Sequence, residues 1–296
     1  DPTCNDGIQN QGESGVDCGG PCQACQSNAT CSDGVQNQGE TGVDCGGPCE
    51  SCDATTCDGY ATRYWDCCKA HCSWDQNVPM SVAPAAVCDA NGGSVGSQTA
   101  SSCDGGNGFQ CQSFIPRAVT SNLSYGYAAT SSGDVCGRCF EIEFTGQGHY
   151  GNDPGSAAIA NKKMVVQALN IGHDVAGGQF DILIPGGGVG LFNACSNQWG
   201  VSNSELGAQY GGFLTQCKDQ GGSHDQVKSC VRNKCSSVFG SRGLDEMQEG
   251  CEWFVDWYEA ADNPNIRYRE VSCPSELTGQ SGMDRTALGD IQNSCN

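Results

Sequence analysis

Two aspartates stand out among the residues that could do chemistry. Asp181 lies inside QFDILI (179–184), where Phe180, Ile182 and Ile184 alternate with it as they would along a β-strand. A carboxyl on an apolar strand is desolvated, so its pKa rises and the protonated form survives near neutral pH, as a general acid requires. The plainer alternative is an aspartate hydrogen-bonded to a neighbouring loop. Asp66 lies in TRYWDCCKAHC (62–72), between Trp65 and the adjacent Cys67 and Cys68. Bridges from both cysteines would hold it rigidly, and Tyr64, Trp65 and Trp74 supply flat faces close by. Two preorganised carboxylates beside aromatic rings describe a site for glycoside hydrolysis.

Other chemistries find less support. The four histidines, His71, His149, His173 and His224, form no HExxH pair. PGGGVG (185–190) lacks the Gly-Lys-Ser/Thr that completes a phosphate loop and reads as a tight turn. GGSVG (92–96) matches GxSxG, but no strand precedes it and no apolar helix follows it, as a nucleophile elbow would need.

The elements that must position the aspartates read mostly as short strands between Gly/Ser/Asn loops. RCFEIEF (138–144), KKMVVQAL (162–169), QFDILI and IRYREVS (266–272) are predicted strands, and so is the aromatic, alternating EWFVDWY (252–258). Helices are predicted only around 205–218 and 243–250. Short strands, little helix and many cysteines point to a small β-barrel with elaborate loops. The 24 cysteines among 296 residues place the chain in an oxidising compartment with a disulfide framework. No run approaches the ~18 apolar residues of a membrane-spanning helix. DPTCNDG at the start has no basic n-region or apolar h-region, so the chain reads as a mature secreted form. A net charge of -20 excludes nucleic acid and anionic lipid as natural partners and favours a neutral or cationic ligand.

The first fifth of the chain is a repeat. CNDGIQNQGESGVDCGGPCQAC (4–25) recurs as CSDGVQNQGETGVDCGGPCESC (31–52). Each copy has four cysteines, which would have to replace a core too small to build. The repeats hold no Trp, Tyr or Phe, so they have no ring faces to stack on sugars. They do hold hard oxygens: Asp6, Asn10, Glu13 and Asp17 recur as Asp33, Asn37, Glu40 and Asp44. Such a set around a glycine-rich turn suits a structural Ca²⁺. Ordinary surface turns are the alternative. The CxxC pairs Cys22/Cys25 and Cys49/Cys52 read as structural bridges rather than zinc or redox sites. The join at Asp53–Thr56 is short and places the repeats against the following domain.

TRYWDCCK followed far downstream by QFDILIPGGGVGLF resembles glycoside hydrolase family 45, the small fungal and invertebrate endoglucanases. GYAATS (126–131), KKMVVQ (162–167), QYGG (209–212), CEWFVDWYEAADNP (251–264) and VSCPSEL (271–277) extend the resemblance over roughly residues 57 to 283. It implies a mainly β chain: a six-stranded double-psi β-barrel with long disulfide-linked loops; the two small disulfide-stabilised repeats lie outside the resemblance and precede it. The domains are then 1–27 and 28–54 for the repeats and 55–296 for the catalytic unit. The implied activity is inverting hydrolysis of internal β-1,4-glucosidic bonds in cellulose or a related β-glucan, by a secreted monomer needing no cofactor for catalysis. By position, Asp66 matches the general base, Asp181 the general acid and Asp174 a third acidic residue on a loop over the groove. Tyr64 and Ala129 match positions near the cleaved bond, Trp74 a sugar-stacking position, and Tyr210 and Asp262 further groove positions.

The resemblance also implies bridges Cys67–Cys195, Cys68–Cys103, Cys72–Cys136, Cys88–Cys111, Cys139–Cys273 and Cys217–Cys251. Gly137 and Met283 stand where family members carry a cysteine pair. Cys230 and Cys235 lie in an insertion around 218–248 and are expected to bridge locally, and Cys57 and Cys295, near the two domain ends, to tie those ends together. Gln179 stands where the best-known members have His, and Asn193 where they have Asp. Expansins share the barrel and the segment around Asp181 but lack the base. A non-hydrolytic, expansin-like wall-loosening or binding protein is therefore the competing reading, and Asp66 in its TRYWDCC setting favours the enzyme.

Overall fold

The computed structural model of the chain describes residues 55–292 and 294–295, with Cys22, Gly39 and Glu40 as isolated positions before them. Nine strands lie among the described residues: β1 (Cys57–Tyr64), β2 (Val87–Cys88), β3 (Ser94–Val95), β4 (Arg117–Ala118), β5 (Leu123–Thr130), β6 (Cys139–Gly148), β7 (Lys163–Ile171), β8 (Gln179–Leu183) and β9 (Pro264–Val271). Six helices accompany them: α1 (Pro154–Ala158), α2 (Cys195–Trp199), α3 (Gly212–Lys218), α4 (His224–Val238), α5 (Asp245–Asp256) and α6 (Ser275–Ser281).

Hydrogen bonding runs in the order β4-β5-β7-β6-β9-β1-β8, and a further β5–β8 pairing returns the order on itself. Six strands thus form a closed circuit, with β4 attached at one edge. Two of the pairings are parallel, β1 with β8 and β5 with β7; the other four are antiparallel. Inside, Phe140, Ile142 and Phe144 from β6 meet Met164, Val166 and Leu169 from β7, all buried. Edge-on ring contacts at 4.8–6.2 Å join Phe140, Phe180 and Tyr268 across three strands. The four strands anticipated at 138–144, 162–169, 179–184 and 266–272 all form, with ends shifted by a few residues.

EWFVDWY departs from expectation: it is the end of helix α5 and the turn after it, not a strand. Trp253, Phe254, Val255, Trp257 and Tyr258 are all buried. A segment covered nearly all round loses the one-sided pattern that separates a period of 2 from 3.6. The helix anticipated at 205–218 is confined to Gly212–Lys218, and α4 was not anticipated. Its signals are ordinary ones. Ser223 and Gln226 form a capping box, and Val227, Val231, Cys235 and Val238 share its buried side.

Helix α4 also explains a correction to the bridges. Cys230 does not pair with Cys235, nor Cys217 with Cys251; the pairs are Cys217–Cys230 and Cys235–Cys251. Five residues along an α-helix span about 7.5 Å of rise and point to different sides, beyond the reach of a disulfide. Inserting α4 between α3 and α5 therefore exchanges the partners of the two expected bridges, tying α4 once to each neighbouring helix. The other anticipated pairs form as expected, Cys57–Cys295 included. Met283 packs against Gly137, where a cysteine pair was expected to be missing. Among the described residues no helix is long and apolar enough to cross a membrane.

Candidate active site

Strand β1 delivers Tyr64, Trp65 and Asp66 in succession to one end of the closed sheet. The Trp65 amide donates to the Gly188 carbonyl (2.8 Å), and the Asp66 carbonyl accepts from Ala194 (2.9 Å). The glycine loop after β8 can lie this close because it lacks side chains. A Cβ on Gly188, whose φ is +108°, would sit 2.8 Å from the Gln209 carbonyl. Directly after Asp66, Cys67 takes the left-handed backbone region with φ 65°, a conformation that costs a non-glycine residue about 1–3 kcal/mol. Cys67 and Cys68 are tied to Cys195 and Cys103, and these two bridges hold the chain in that shape.

Asp66 is almost wholly buried, and its Oδ1 accepts from the Cys68 amide at 2.9 Å. Burial pushes its pKa up to about 7; the Cys68 N–H opposes that push and the charge of Asp181 adds to it.

Asp181 sits on β8 between two neighbours, opposite Thr62 of β1 and Ala129 of β5. The β5–β7 register slips where Ala128 pairs with Ala168 and Ala129 with Asn170, so Leu169 is an extra residue on β7, behind the β5 segment that faces the carboxyl. Thr62 Oγ1 donates to Asp181 Oδ1 at 2.7 Å. That hydroxyl accepts from Gln179 Nε2 (2.9 Å), and Gln179 Oε1 accepts from the Tyr60 hydroxyl (2.7 Å). Because Thr62 accepts from Gln179, its single proton is committed to Asp181 Oδ1, which leaves Oδ2 as the oxygen that can carry a proton. Burial again dominates and pushes Asp181 up to about 7; Thr62 and Arg63 pull down and Asp174 pushes up.

Two adjoining cavities of about 420 and 400 Å³ meet at Tyr64, Asp174, Asp181 and Gly190. The first also takes in Asp66, Ala129, Asn170, His173 and Phe192. The second takes in Thr62, Gln179, Tyr150, Tyr210 and Asp262. The structure thus brings Asp66, Asp181, Asp174, Tyr64, Ala129, Tyr210 and Asp262 to one continuous groove. Asp174 is exposed on the turn after β7. Tyr64 is fixed by Asn170, whose Nδ2 donates to its hydroxyl at 3.0 Å. Asp262 is held between Arg63 (2.9 Å) and Lys218 (2.7 Å). Burial raises its pKa, but these two cations outweigh that effect and hold it below the ordinary value.

Trp74 lies outside the lining of both cavities, and the Lys69 ammonium rests 3.1 Å above its ring centre. One of its faces is therefore taken. Thr62, Gln179, Asn170, Tyr150 and Phe192 were not anticipated as site residues. A usable signal existed for Gln179, which lies two residues before Asp181 in the same predicted strand and so shares its face.

Ser94 of GGSVG is exposed in the two-residue strand β3, with no elbow around it. Of the oxygens proposed for Ca²⁺, Asp6, Asn10, Glu13, Asp17, Asp33, Asn37 and Asp44 lie outside the described residues, as does the Asp53–Ala54 part of the join. Glu40 is described and is buried. Among the described residues no group of three or more His, Cys, Asp or Glu side chains is arranged to hold a metal.

The family model for glycosyl hydrolase family 45 matches residues 58–284. The chain belongs to that family. The match covers the closed sheet and both aspartates, and the N-terminal repeats fall outside it. Endoglucanase B of Cellvibrio japonicus is 63% identical to this family 45 chain over 244 residues, covering 81% of this chain and 48% of that protein. An endoglucanase of the springtail Cryptopygus antarcticus is 36% identical over 238 residues, covering 78% of this chain and 91% of that protein. The chain thus spans about half the length of the first relative and most of the second. The crystal structure of the Antarctic springtail cellulase superposes with a TM-score of 0.63 at 36% identity, over 79% of this chain and 99% of that one.

Proposed function

We propose that this family 45 hydrolase is a secreted endo-β-1,4-glucanase that cleaves internal bonds of cellulose or a related β-glucan with inversion. The observation that carries the reading is the pair of buried carboxyls, Asp66 and Asp181, on one groove, both raised to about 7. An inverting hydrolase needs one carboxylate to take a proton from water and one carboxylic acid to give a proton to the departing oxygen. Two interacting groups that titrate together populate the state with one proton between them near neutral pH. Asp66 is the base, held by its disulfide-braced loop. Asp181 is the acid, presenting Oδ2 while Thr62 occupies Oδ1. Asp174 is a third carboxylate at the groove's rim. Tyr64 and Ala129 shape the wall at the cleaved bond, and Tyr210 offers a ring to a sugar in the groove, with Trp74 a further stacking ring outside its lining.

The groove extends to both sides of Asp181, as cleavage within a chain requires. The closed six-strand circuit, with its parallel pairs β1/β8 and β5/β7, supports a double-psi β-barrel. Eight disulfides among the described residues, with no free cysteine, suit an extracellular setting.

Carboxymethyl-cellulose tests the reading. Solution viscosity is expected to collapse after few cuts, well before reducing ends accumulate. A rise in reducing ends without early loss of viscosity would mark an exo-acting enzyme. No new reducing ends at all would favour the expansin-like alternative.

A further inference from the structure

We infer that the turn between β6 and α1 builds a sugar subsite on the leaving-group side of the groove, with the Tyr150 ring as the stacking face for one glucose unit. The inference rests on the endoglucanase reading above and goes beyond it.

The eight large hydrophobic side chains exposed among the described residues include three aromatics, Tyr150, Phe192 and Tyr210. All three line the groove: Phe192 lines the cavity that holds both carboxyls, Tyr150 and Tyr210 the other. Of the five non-aromatic ones, Leu191 lies beside Phe192 in the groove, and Met80, Val119, Leu288 and Ile291 lie outside it. Exposed rings gathered at one groove mark a surface meant to be covered. With a net charge of -20 on the chain and the exposed carboxylate of Asp174 on the same cavity, an uncharged or cationic cover is favoured. The C–H face of a pyranose ring meets both requirements.

Tyr150 is 78% exposed yet built on a fixed support. Its ring stands edge-on to His149 at 4.7 Å, and His149 lies flat on Tyr60 at 3.9 Å with the planes 9° apart. Tyr60 is anchored in turn by its bond to Gln179. The His149 amide donates to the Asn263 carbonyl (2.8 Å), and its Nδ1 lies 3.1 Å from Asn265 Oδ1. The turn closes when Gly151 donates to Gly148 (3.3 Å), with Gly151 at φ 137°. A ring held in advance loses little freedom when it binds.

The side follows from the carboxyls. The first cavity holds both Asp66 and Asp181, so it receives the sugar whose anomeric carbon is attacked by water. The cavity with Tyr150 holds Asp181 without Asp66. The acid gives its proton to the departing oxygen, so the departing sugar lies on that side.

Cellohexaose labelled at its reducing end provides the test, with kcat, KM and the position of the cut read for the wild type, Tyr150→Ala and Tyr150→Trp. Tyr150→Ala is expected to raise KM about tenfold, one ring's worth of stacking, with kcat changed less than twofold. The substrate should slide away from the weakened side, so the labelled fragment becomes shorter. Tyr150→Trp should restore the wild-type cut. The exposed position makes an unchanged unfolding midpoint the expected control. Wild-type KM and wild-type fragments from Tyr150→Ala would overturn the subsite alone. A wild-type enzyme that leaves cellohexaose intact would overturn both this inference and the endoglucanase reading.

Discussion

Asp66→Asn and Asp181→Asn should each lower kcat on carboxymethyl-cellulose by about 10²–10⁴-fold while the protein stays folded. The amide keeps the shape of the carboxyl and can still accept from Cys68 or Thr62 through its oxygen. What it cannot do is accept a proton from water or release one to a leaving oxygen. The two losses differ in a way that separates the roles. An aryl β-cellotrioside with a strongly acidic phenol, such as dinitrophenol, leaves without help from an acid. Asp181→Asn should therefore recover most of its activity on that substrate. Asp66→Asn should not, because the attacking water still lacks a base. Recovery by Asp66→Asn instead would reverse the assignment, and full activity of either variant on carboxymethyl-cellulose would remove that residue from the mechanism.

The second large effect is on stability, and its sign follows from burial. Asp66 has a folded-state pKa of about 7 against an ordinary value of 3.8. Between those values the folded protein binds a proton that the unfolded chain has released, so stability declines as pH rises through the window. Below 3.8 the group is neutral in both states and costs nothing. Above 7 the full penalty is present, with a ceiling of about 4 kcal/mol for roughly three pKa units. Asp66→Asn removes the penalty. Its unfolding midpoint should match the wild type at pH 3 and exceed it by several degrees at pH 8. Equal midpoints at pH 8 would mean that the carboxylate is better compensated than its surroundings indicate. A gain in stability coupled to a loss of catalysis is the expected signature of a residue kept for its chemistry.

The parts of the site that could be read in the sequence are those whose information is local. Asp181 alternates with buried Phe180 and Ile182, and Asp66 is followed by two cysteines that form two bridges. What could not be read depends on register between distant segments. Thr62 meets Asp181 across 119 residues because β1 and β8 pair in parallel, and nothing near either residue announces that pairing. The same holds for Asp262, whose commitment to Arg63 and Lys218 depends on three separate segments. Trp74 matches a sugar-stacking position, and the Lys69 ammonium, from five residues earlier, lies over its ring, a contact set by how the intervening loop folds. Among the elements, the first half of α5 falls within the helix anticipated at 243–250, while its second half reads as a strand because its aromatics are buried on nearly every side. The cysteine partners at 217, 230, 235 and 251 depend on α4, whose cap and apolar spacing were present in the sequence.

In the proposed reaction Asp66 directs water onto the anomeric carbon from the side opposite the bond that Asp181 helps to break. That geometry inverts configuration, so the first product ends released from a β-1,4-glucan must be α. Proton NMR of cellohexaose during its first minutes with the wild-type enzyme reads this directly, before mutarotation mixes the anomers. The α-anomer signal is expected to grow first, with the β signal following at the rate of mutarotation. A β signal that grows first would mean retention and overturn the roles given to Asp66 and Asp181.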